Sequence, residues 1–306
     1  MSTPNPFAGH EAVCDDGASV TPPCKSTRSA LAVIEVTGED AIDFLHGQVS
    51  ADIRALSADQ TLLTAWCSPK GRVLFMPRLL RTGNGTLIAL LPQDQSAAFI
   101  KRLRMFVLRA KVTIEDRSSS HGVLVLDGAA EPAGAAGLVL GIDGDRRWLV
   151  GPREVLASVW DALGVPAQGD NAARLTDIAR GEAMLPAALT DAFLPQELNL
   201  DVLAGVSFNK GCYPGQEIVA RVKFRGTVKR RVQRVRLAAH HVPAPGARLL
   251  GSDDAHHGTV LVSAALSAGH SEALAVIDID AGPLHLADES GSSLDTLTLP
   301  YALPGA

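Results

Sequence analysis

The segment from residue 209 to residue 226 collects the residue types that could do chemistry. It reads NKGCYPGQEIVARVKFRG and places Lys210 two residues before Cys212. A nearby ammonium favours the thiolate form of a cysteine, and the thiolate is the nucleophile and the metal ligand. Cys212 is therefore a candidate reactive thiol with Lys210 as its activating group. The alternative is a buried cysteine that behaves as a small hydrophobe, which is the commoner state of a free cysteine.

Two glycines frame this segment and would let its backbone turn tightly. Gly211 and Gly215 lack a Cβ, so a ligand could approach the main chain around Tyr213 closely. Gln216 and Glu217 follow as polar groups for a ligand, or they start the next element, where an acidic side chain stabilises a helix N-terminus. A plain turn is the alternative for the glycines.

Cations follow at every second residue. Arg221, Lys223 and Arg225 alternate with Val222 and Phe224, so a strand would place the cations on one face and the apolar pair toward the core. The stretch from residue 218 to residue 252 contains no Asp or Glu and holds further cations at Lys229, Arg230, Arg231, Arg234, Arg236 and Arg248. Such a strip on an acidic protein predicts a local anion site. The alternative is a solvated face whose cations pair with acids from elsewhere in the fold.

Composition limits the classes of protein that this chain can be. Its 306 residues are 46% hydrophobic, which is enough for substantial cores in two or three domains. The net charge of -5 argues against a protein that coats nucleic acid over its whole surface. The 4 cysteines form no C-x-x-C pair, which favours a reducing cytoplasm. A membrane span needs roughly 18 consecutive apolar residues, and no such run occurs.

The chain divides into an arm and three parts. Residues 1–28 are rich in Pro, Ser, Gly and Asp, which predicts a disordered N-terminal arm with Cys14 and Cys24 as incidental thiols. Residues 29–117 predict an α+β domain with an antiparallel sheet. Residues 118–228 predict a second α+β domain that carries the motif, and residues 229–306 predict a small β-barrel of short strands.

Several elements can be assigned within the first domain. The pattern predicts a strand ending at Gly38, a helix over 39–56, a strand around 62–67, a helix after Pro92 and a strand over 108–116. The predicted core face of the first helix contains Ile42, Leu45, Val49 and Ile53. Asn84-Gly85 lies between apolar strands and predicts a hairpin turn with positive φ at both residues.

The second domain and the motif can be placed in the same way. Three short strands are predicted within 121–128, 137–144 and 146–152, followed by a helix over 153–164 with Gly164 at its end. The motif then falls at the junction between the α+β part and the β-domain. Junctions between domains are favoured places for ligand sites.

The motif closely resembles the K-G-C-Y-x-G-Q-E signature of the folate-binding YgfZ proteins, which are relatives of the aminomethyltransferase T-protein of the glycine cleavage system. Three other segments are similar to that family: FLHGQVSADI at 44–53, CSPKGRVLFMPRLLR at 67–81 and FLPQELNL at 193–200. The resemblance covers nearly everything after the predicted arm.

The resemblance implies both a fold and a function. The fold would be a ring-like arrangement of three domains around a central folate pocket, closed by the C-terminal β-barrel. The ligand would be tetrahydrofolate, and the role would be to support assembly or repair of iron–sulfur enzymes, including some that modify tRNA. Partners would be folate and iron–sulfur proteins or their assembly machinery. Anionic glutamate tails need cations, which assigns Arg221, Lys223 and Arg225 to the tail of the folate. The resemblance also assigns Asp52 and Glu197 to the folate site.

Departures from the related aminomethyltransferases bear on activity. Those enzymes carry an acidic pair where this chain has Phe75 and Met76, so we expect no glycine-cleavage activity. Tyr213, Phe44 and Trp66 are candidates to stack on the pterin. One cysteine in the motif cannot by itself hold an iron–sulfur cluster, which needs about four ligands.

Two other functions are compatible with the same residues. A folate-dependent one-carbon transferase of unknown substrate would need a carboxylate near the folate, with Asp52, Glu197 and Glu217 as candidates. A tRNA-facing adaptor would use the strip from Arg221 to Arg236. A metal site is not expected at His240-His241 or His256-His257, because adjacent residues of a strand point to opposite faces.

Overall fold

The structure is a computed structural model that describes residues 22–128, 135–238, 242–266, 269–287 and 292–304. Residues 1–21 of the predicted arm, with Cys14, lie outside the described residues, as do His240 and His241. None of the helices in the described ranges is long and apolar enough to cross a membrane.

The first part of the chain forms a five-stranded antiparallel sheet of order β3-β6-β7-β2-β8, as its strand patterns predict. Its strands are β2 (Leu31–Thr37), β3 (Thr61–Leu63), β6 (Arg78–Arg81), β7 (Leu87–Pro92) and β8 (Thr113–Asp116). Alternation along β2 gives the sheet two apolar faces. Ile34 packs against helices α1 (Ala41–His46) and α2 (Ser96–Arg104), whereas Val33 packs against the second sheet.

Three predictions for this part need correction. The first helix ends at His46, although Val49 and Ile53 are buried as predicted. The predicted strand over 62–67 is split into β3 and β4 (Trp66–Cys67), and β4 pairs with β5 (Val73–Phe75). The hairpin forms, but only Gly85 has a positive φ, at 86°. The reason is that the turn closes through the Gly85 N–H to the Thr82 carbonyl, at 3.0 Å, so one left-handed residue suffices.

The second sheet has four antiparallel strands in the order β1-β9-β11-β10. They are β1 (Cys24–Thr27), β9 (His121–Asp127), β10 (Val139–Asp143) and β11 (Arg146–Pro152). Helix α3 (Arg153–Ala162) packs on this sheet, and α4 (Asp170–Ala179) follows it. Gly164 does not adopt the left-handed conformation expected of a cap, and α3 passes into extended backbone at Leu163.

The prediction of a disordered arm is wrong for its last residues. Cys24 pairs with Asp127 at the start of the β1–β9 register, and the side chains of β1 are all buried. Lys25 donates through Nζ to the carbonyl oxygens of Trp160 and Leu163 at 2.7 and 2.8 Å, so it satisfies the end of α3. A polar composition concealed this strand because its partners lie more than 90 residues further along the chain.

The C-terminal part forms a six-stranded antiparallel sheet of order β16-β13-β14-β15-β12-β17. Its strands are β12 (Arg230–Leu237), β13 (Arg248–Gly251), β14 (His256–Leu266), β15 (His270–Asp278), β16 (Leu284–Leu286) and β17 (Leu294–Leu297). The sheet curls until its two edges meet, where His285 bridges Ser293. This agrees with the short strands expected of a small barrel.

Residues 216–225 form a helix, α5 (Gln216–Arg225), and the prediction of a strand there is wrong. Gly215 begins the helix in the left-handed conformation at φ 81°. In α5 only Val219 is buried, and Phe224 is exposed instead of facing the core. A five-residue alternation is too short to separate the strand period from the helix period.

Candidate functional site

Two glycine turns lock the motif loop onto the rest of the protein. Gly71 lies in the turn after β4 and Gly215 lies before α5, both with positive φ. A Cβ on Gly215 would lie 2.4 Å from the Ser68 carbonyl oxygen and 2.7 Å from Gly71 Cα. A Cβ on Gly71 would lie 2.9 Å from Ile218 Cβ. The turn of residues 68–71 and the motif loop, both singled out in the sequence, therefore pack main chain against main chain.

Lys210 is buried and binds the segment 44–53, which also resembles the family. Its Nζ donates to the carbonyl oxygens of His46, Val49 and Ala51, the last two at 2.6 and 2.9 Å. These are the carbonyls that α1 would have used had it continued, so Lys210 explains why the helix ends. Burial lowers the pKa of Lys210 to about 8. All three N–H donors of its ammonium are engaged, so none is left to donate to the Cys212 sulfur.

Cys212 carries the exposed thiol of the motif. Cys24 and Cys67 are buried, and burial raises the pKa of their thiols to about 11 and about 12. The alternative of a buried, inert cysteine therefore does not apply to Cys212. Tyr213 next to it is buried, with the Lys210 ammonium 5.3 Å from the centre of its ring. Burial raises the pKa of the Tyr213 hydroxyl above its usual range.

The three candidate carboxylates occupy different surroundings. Asp52 caps a turn by accepting from the N–H groups of Arg54 and Ala55 at 3.1 and 3.3 Å. Glu197 is buried, and its Oε1 accepts from Arg230 Nε at 2.9 Å. Glu217 is exposed in the first turn of α5.

The predicted cationic strip consists of two groups. Ion pairs join Arg230 to Glu197, Arg231 to Asp201, and both Arg234 and Arg236 to Glu272. For these four residues the alternative of pairing with distant acids is confirmed. Arg221, Lys223 and Arg225 are exposed on α5, and no carboxylate of the described residues lies within 4.0 Å of them.

The aromatic candidates for pterin stacking are part of the packed interior. Trp66 forms a cluster with Phe75, Phe99 and Phe106, with ring centroids 5.6 to 5.9 Å from its own. Phe44 belongs to the same apolar core. The structure therefore gives Trp66 and Phe44 a packing role.

A cavity of the described part of the chain lies elsewhere, where the three larger sheets approach one another. It has a volume of about 600 Å³ and is lined by Leu31 and Arg78 of the first sheet, Arg146 and Trp148 of the second, and Leu261 and Ser263 of the third. None of the described residues that line it belongs to 209–226, and neither Asp52 nor Glu197 lines it. The motif loop and the cavity are thus two separate features.

Ion pairs organise the charged wall of this cavity. Arg78 is buried, binds Asp143 at 3.1 Å and Glu182, and lies 4.6 Å from the Trp148 ring centre. Arg146 binds Asp127 at 2.7 Å and Asp177 at 2.8 Å. Burial alone would lower the pKa of Arg146, but the two aspartates raise it above its usual range. The guanidinium groups are therefore fixed in place and charged.

Several hydrogen-bond donors on residues of this wall have no partner among the described residues. They are Arg28 Nε, Arg78 Nε, Arg146 Nη2 and Trp148 Nε1, whose atoms are buried behind the cavity surface. A buried donor without an acceptor costs about 1–3 kcal/mol. The wall also combines charged and apolar side chains, as small-molecule sites do.

Comparison with known proteins identifies the family. The tRNA-modifying protein YgfZ of Yersinia pestis (strain Pestoides F) is 32% identical over 330 aligned positions, which cover 99% of each chain. The chain belongs to the YgfZ family. The tRNA-modifying protein YgfZ of Cronobacter sakazakii is 33% identical to this chain, over 90% of this chain and 92% of that one. No family model matches the chain.

Among solved structures, the aminomethyltransferase T of the glycine cleavage system from Bartonella henselae shares the fold of this YgfZ protein. The TM-score is 0.73 at 16% identity, over 90% of this chain and 85% of that one. At this identity the likeness concerns the fold alone. It confirms a fold of the aminomethyltransferase type, while the ring-like arrangement, the domain boundaries and the roles of the site residues stay predictions.

Sequence reasoning missed the polar residues of the cavity in this YgfZ member. Arg78 and Arg146 are the first residues of β6 and β11, and Trp148 follows in β11. A cation at the start of a strand looks the same in sequence whether it is solvated or buried in an ion pair. The sequence therefore held no signal that these residues converge on one cavity.

Proposed function

We propose that this protein binds tetrahydrofolate in the cavity between its three sheets and supports iron–sulfur enzymes, among them enzymes that modify tRNA, through the exposed thiol of Cys212. The observation that carries the proposal is the cavity of about 600 Å³, whose lining combines arginines and Trp148 with apolar side chains. The volume lies within the usual range of about 300–1,000 Å³ for small-molecule sites. The resemblance to the folate-binding family supplies the identity of the ligand.

The residues of the cavity fit the chemistry of a folate. A pterin offers a carbonyl oxygen and ring nitrogens as acceptors, which would pair with the Trp148 indole N–H and with guanidinium donors of Arg78 and Arg146 once these side chains turn toward the ligand. Apolar side chains such as Leu31 and Leu261 would cover the ring faces. Bound folate would supply a carrier for one-carbon units.

Cys212 would act at the surface, apart from this cavity. Gly215 and Lys210 hold the loop that presents it, through the contact with Gly71 and the three carbonyl bonds described above. A fixed, exposed thiol can attack a disulfide of a partner protein, so that a mixed disulfide forms while the partner's other sulfur leaves as a thiolate. Lys210 would serve as a positioning residue, because its ammonium is committed to main-chain oxygens.

The ligand is tested by calorimetric titration of the reduced protein with tetrahydrofolate under anaerobic conditions. We expect saturable binding at one site. Trp148→Phe keeps an aromatic side chain and removes one donor, so affinity should fall by about 2- to 10-fold, the equivalent of one neutral hydrogen bond. Arg248→Ala, an exposed change on β13, is the control. Absence of binding by the wild type would refute the folate assignment, and unchanged affinity of Trp148→Phe would refute the location.

The thiol is tested in cells that lack the chromosomal copy. Cys212→Ala should fail to restore the activity of iron–sulfur enzymes that modify tRNA, while Gly211→Ala, which meets no atom within 4 Å, should restore it. Equal amounts of both variants must be verified by immunoblot. Full restoration by Cys212→Ala would contradict the proposed role of the thiol.

The one-carbon transferase alternative receives less support. Asp52, Glu197 and Glu217 are not among the cavity residues. Four other carboxylates line the cavity, Asp94, Asp170, Asp177 and Glu182, and the last two already accept hydrogen bonds from buried guanidinium groups. Turnover of an aminomethylated lipoyl carrier with release of ammonia would overturn the preference.

A further inference from the structure

Helix α5 presents an unpaired, cationic face to solvent. At about 100° per residue, Glu217, Ile218, Arg221, Phe224 and Arg225 fall within an arc of about 120°. All five are exposed, whereas Val219 on the opposite side is buried. The face is therefore not used to hold the fold together.

The charge of this face is strongly positive although the protein is acidic. Arg221, Lys223, Arg225 and Lys229 accompany a single carboxylate, Glu217, in residues 217–229. Lys70 is also exposed and precedes Gly71, which packs on Ile218 at the start of the helix. No ion pair involves these cations within the described part of the chain, in contrast to the paired arginines of β12. Unpaired cations on a local patch attract a polyanion.

An aromatic ring stands among the cations. Phe224 is 69% exposed, and the edge-to-face contact with Phe208, at 5.9 Å between ring centroids, holds its orientation. The Lys223 ammonium lies 5.5 Å from the centre of the Phe208 ring. Cations that follow a phosphate backbone and an exposed aromatic on which a base stacks are the two parts of a surface for single-stranded nucleic acid.

We propose that α5 binds RNA, with Arg221 and Arg225 of its outer face, Lys223 beside that face and Lys229 beyond the end of the helix on phosphates, and with Phe224 stacked on an unpaired base. The inference rests on the proposed role in tRNA modification and makes the contact with tRNA direct. It also places the RNA next to the loop that carries Cys212. The patch has four unpaired cations but only Phe224 as a largely exposed apolar group, which suits phosphates better than the apolar groove of a protein.

The test is fluorescence anisotropy with labelled, unfractionated bacterial tRNA at several salt concentrations. Four neutralised phosphates predict a slope of about -2.8 to -3.6 in log affinity against log salt, so affinity should fall about 50- to 150-fold between about 50 and 200 mM. Arg221→Ala with Arg225→Ala should reduce the slope by about 1.4 to 1.8. Phe224→Ala should weaken binding about 5- to 150-fold without changing the slope.

The matched control lies on the C-terminal sheet. Arg248→Ala removes an exposed cation of β13. It should not change the affinity for tRNA. Wild-type affinity of the double arginine variant, or the absence of salt-dependent binding, would overturn the proposal. Equally tight binding of poly-glutamate would also overturn it, because the face would then select an acidic protein.

Tetrahydrofolate titrations of the same variants separate this inference from the proposed function. The α5 variants should bind folate like the wild type, since α5 does not line the cavity. Loss of tRNA binding with intact folate binding supports the inference. Intact folate binding with no tRNA binding by the wild type refutes the inference alone.

Discussion

The substitution Gly215→Ala tests whether the contact between the two glycine turns holds the motif loop in place. Two costs can be worked out from the structure. The φ of 81° is a left-handed conformation that costs an alanine about 1–2 kcal/mol. The new Cβ would also lie 2.4 Å from the Ser68 carbonyl oxygen, and main chain cannot yield as a flexible side chain does. Overpacking of this kind costs about 1–3 kcal/mol.

The expected loss is therefore about 2–5 kcal/mol in the free energy of unfolding, measured by urea denaturation followed by circular dichroism. Gly215→Asn separates the two costs, because asparagine tolerates the left-handed region but carries the same Cβ. Gly215→Asn should be more stable than Gly215→Ala and less stable than the wild type.

Gly211→Ala is the matched control in the same motif. Gly211 has no positive φ, and a Cβ there meets nothing within 4 Å. Its effect should stay within about 0.5 kcal/mol. If Gly215→Ala and Gly211→Ala were equally stable, the packing argument for the loop would be refuted.

Three further predictions concern reactivity, an ion pair and pH. Cys212→Ser should remove one fast-reacting thiol from an Ellman assay of the native protein at pH 8. Cys67→Ser should not, because burial raises the pKa of Cys67 to about 12. Equal fast-phase amplitudes for Cys212→Ser and the wild type would contradict the prediction. Arg231→Ala should cost about 3–5 kcal/mol of unfolding free energy, since it leaves Asp201 charged, buried and unpaired; a loss below about 1 kcal/mol would show that water reaches the pair. Burial and the nearby Lys210 lower the pKa of His46, so the native state binds fewer protons there than the unfolded chain. Stability is therefore lost as pH falls below about 6.5. In His46→Gln the loss of stability between pH 7.5 and 5.5 should be smaller than in the wild type, and an identical pH profile would contradict the role of His46.

Much of the sheet structure follows from local pattern. The apolar run in 31–37, the Asn84-Gly85 turn and the short C-terminal strands each specify an element through neighbours in sequence, and all three occur. Such patterns work because a short apolar run bounded by turn residues is typical of a buried strand.

The errors arise where distant residues decide the local conformation. The helix from residue 39 stops at His46 because Lys210 takes the carbonyls that would have continued it. Residues 216–225 become a helix because Gly215 turns the chain against Gly71. Neither contact is visible in a window of ten or fifteen residues.

The candidate site was also predictable only in part. The motif predicted a candidate thiol at Cys212 and a tight turn at Gly215, since a cysteine close to a lysine and a glycine in a turn both have local signatures. The cavity could not, because Arg78, Arg146 and Glu182 come from three separate stretches of the chain. Only the folded arrangement makes their donors and acceptors neighbours.

The position of β1 has a consequence for synthesis. Its residues pair with β9, roughly 100 residues later in the chain, and lie next to no other strand of their sheet. At about 5–20 residues per second, a ribosome needs about 5–20 s to make that interval. During this time the whole first sheet can emerge while β1 has no partner strand. β1 can therefore join the second sheet only after β9 has been translated.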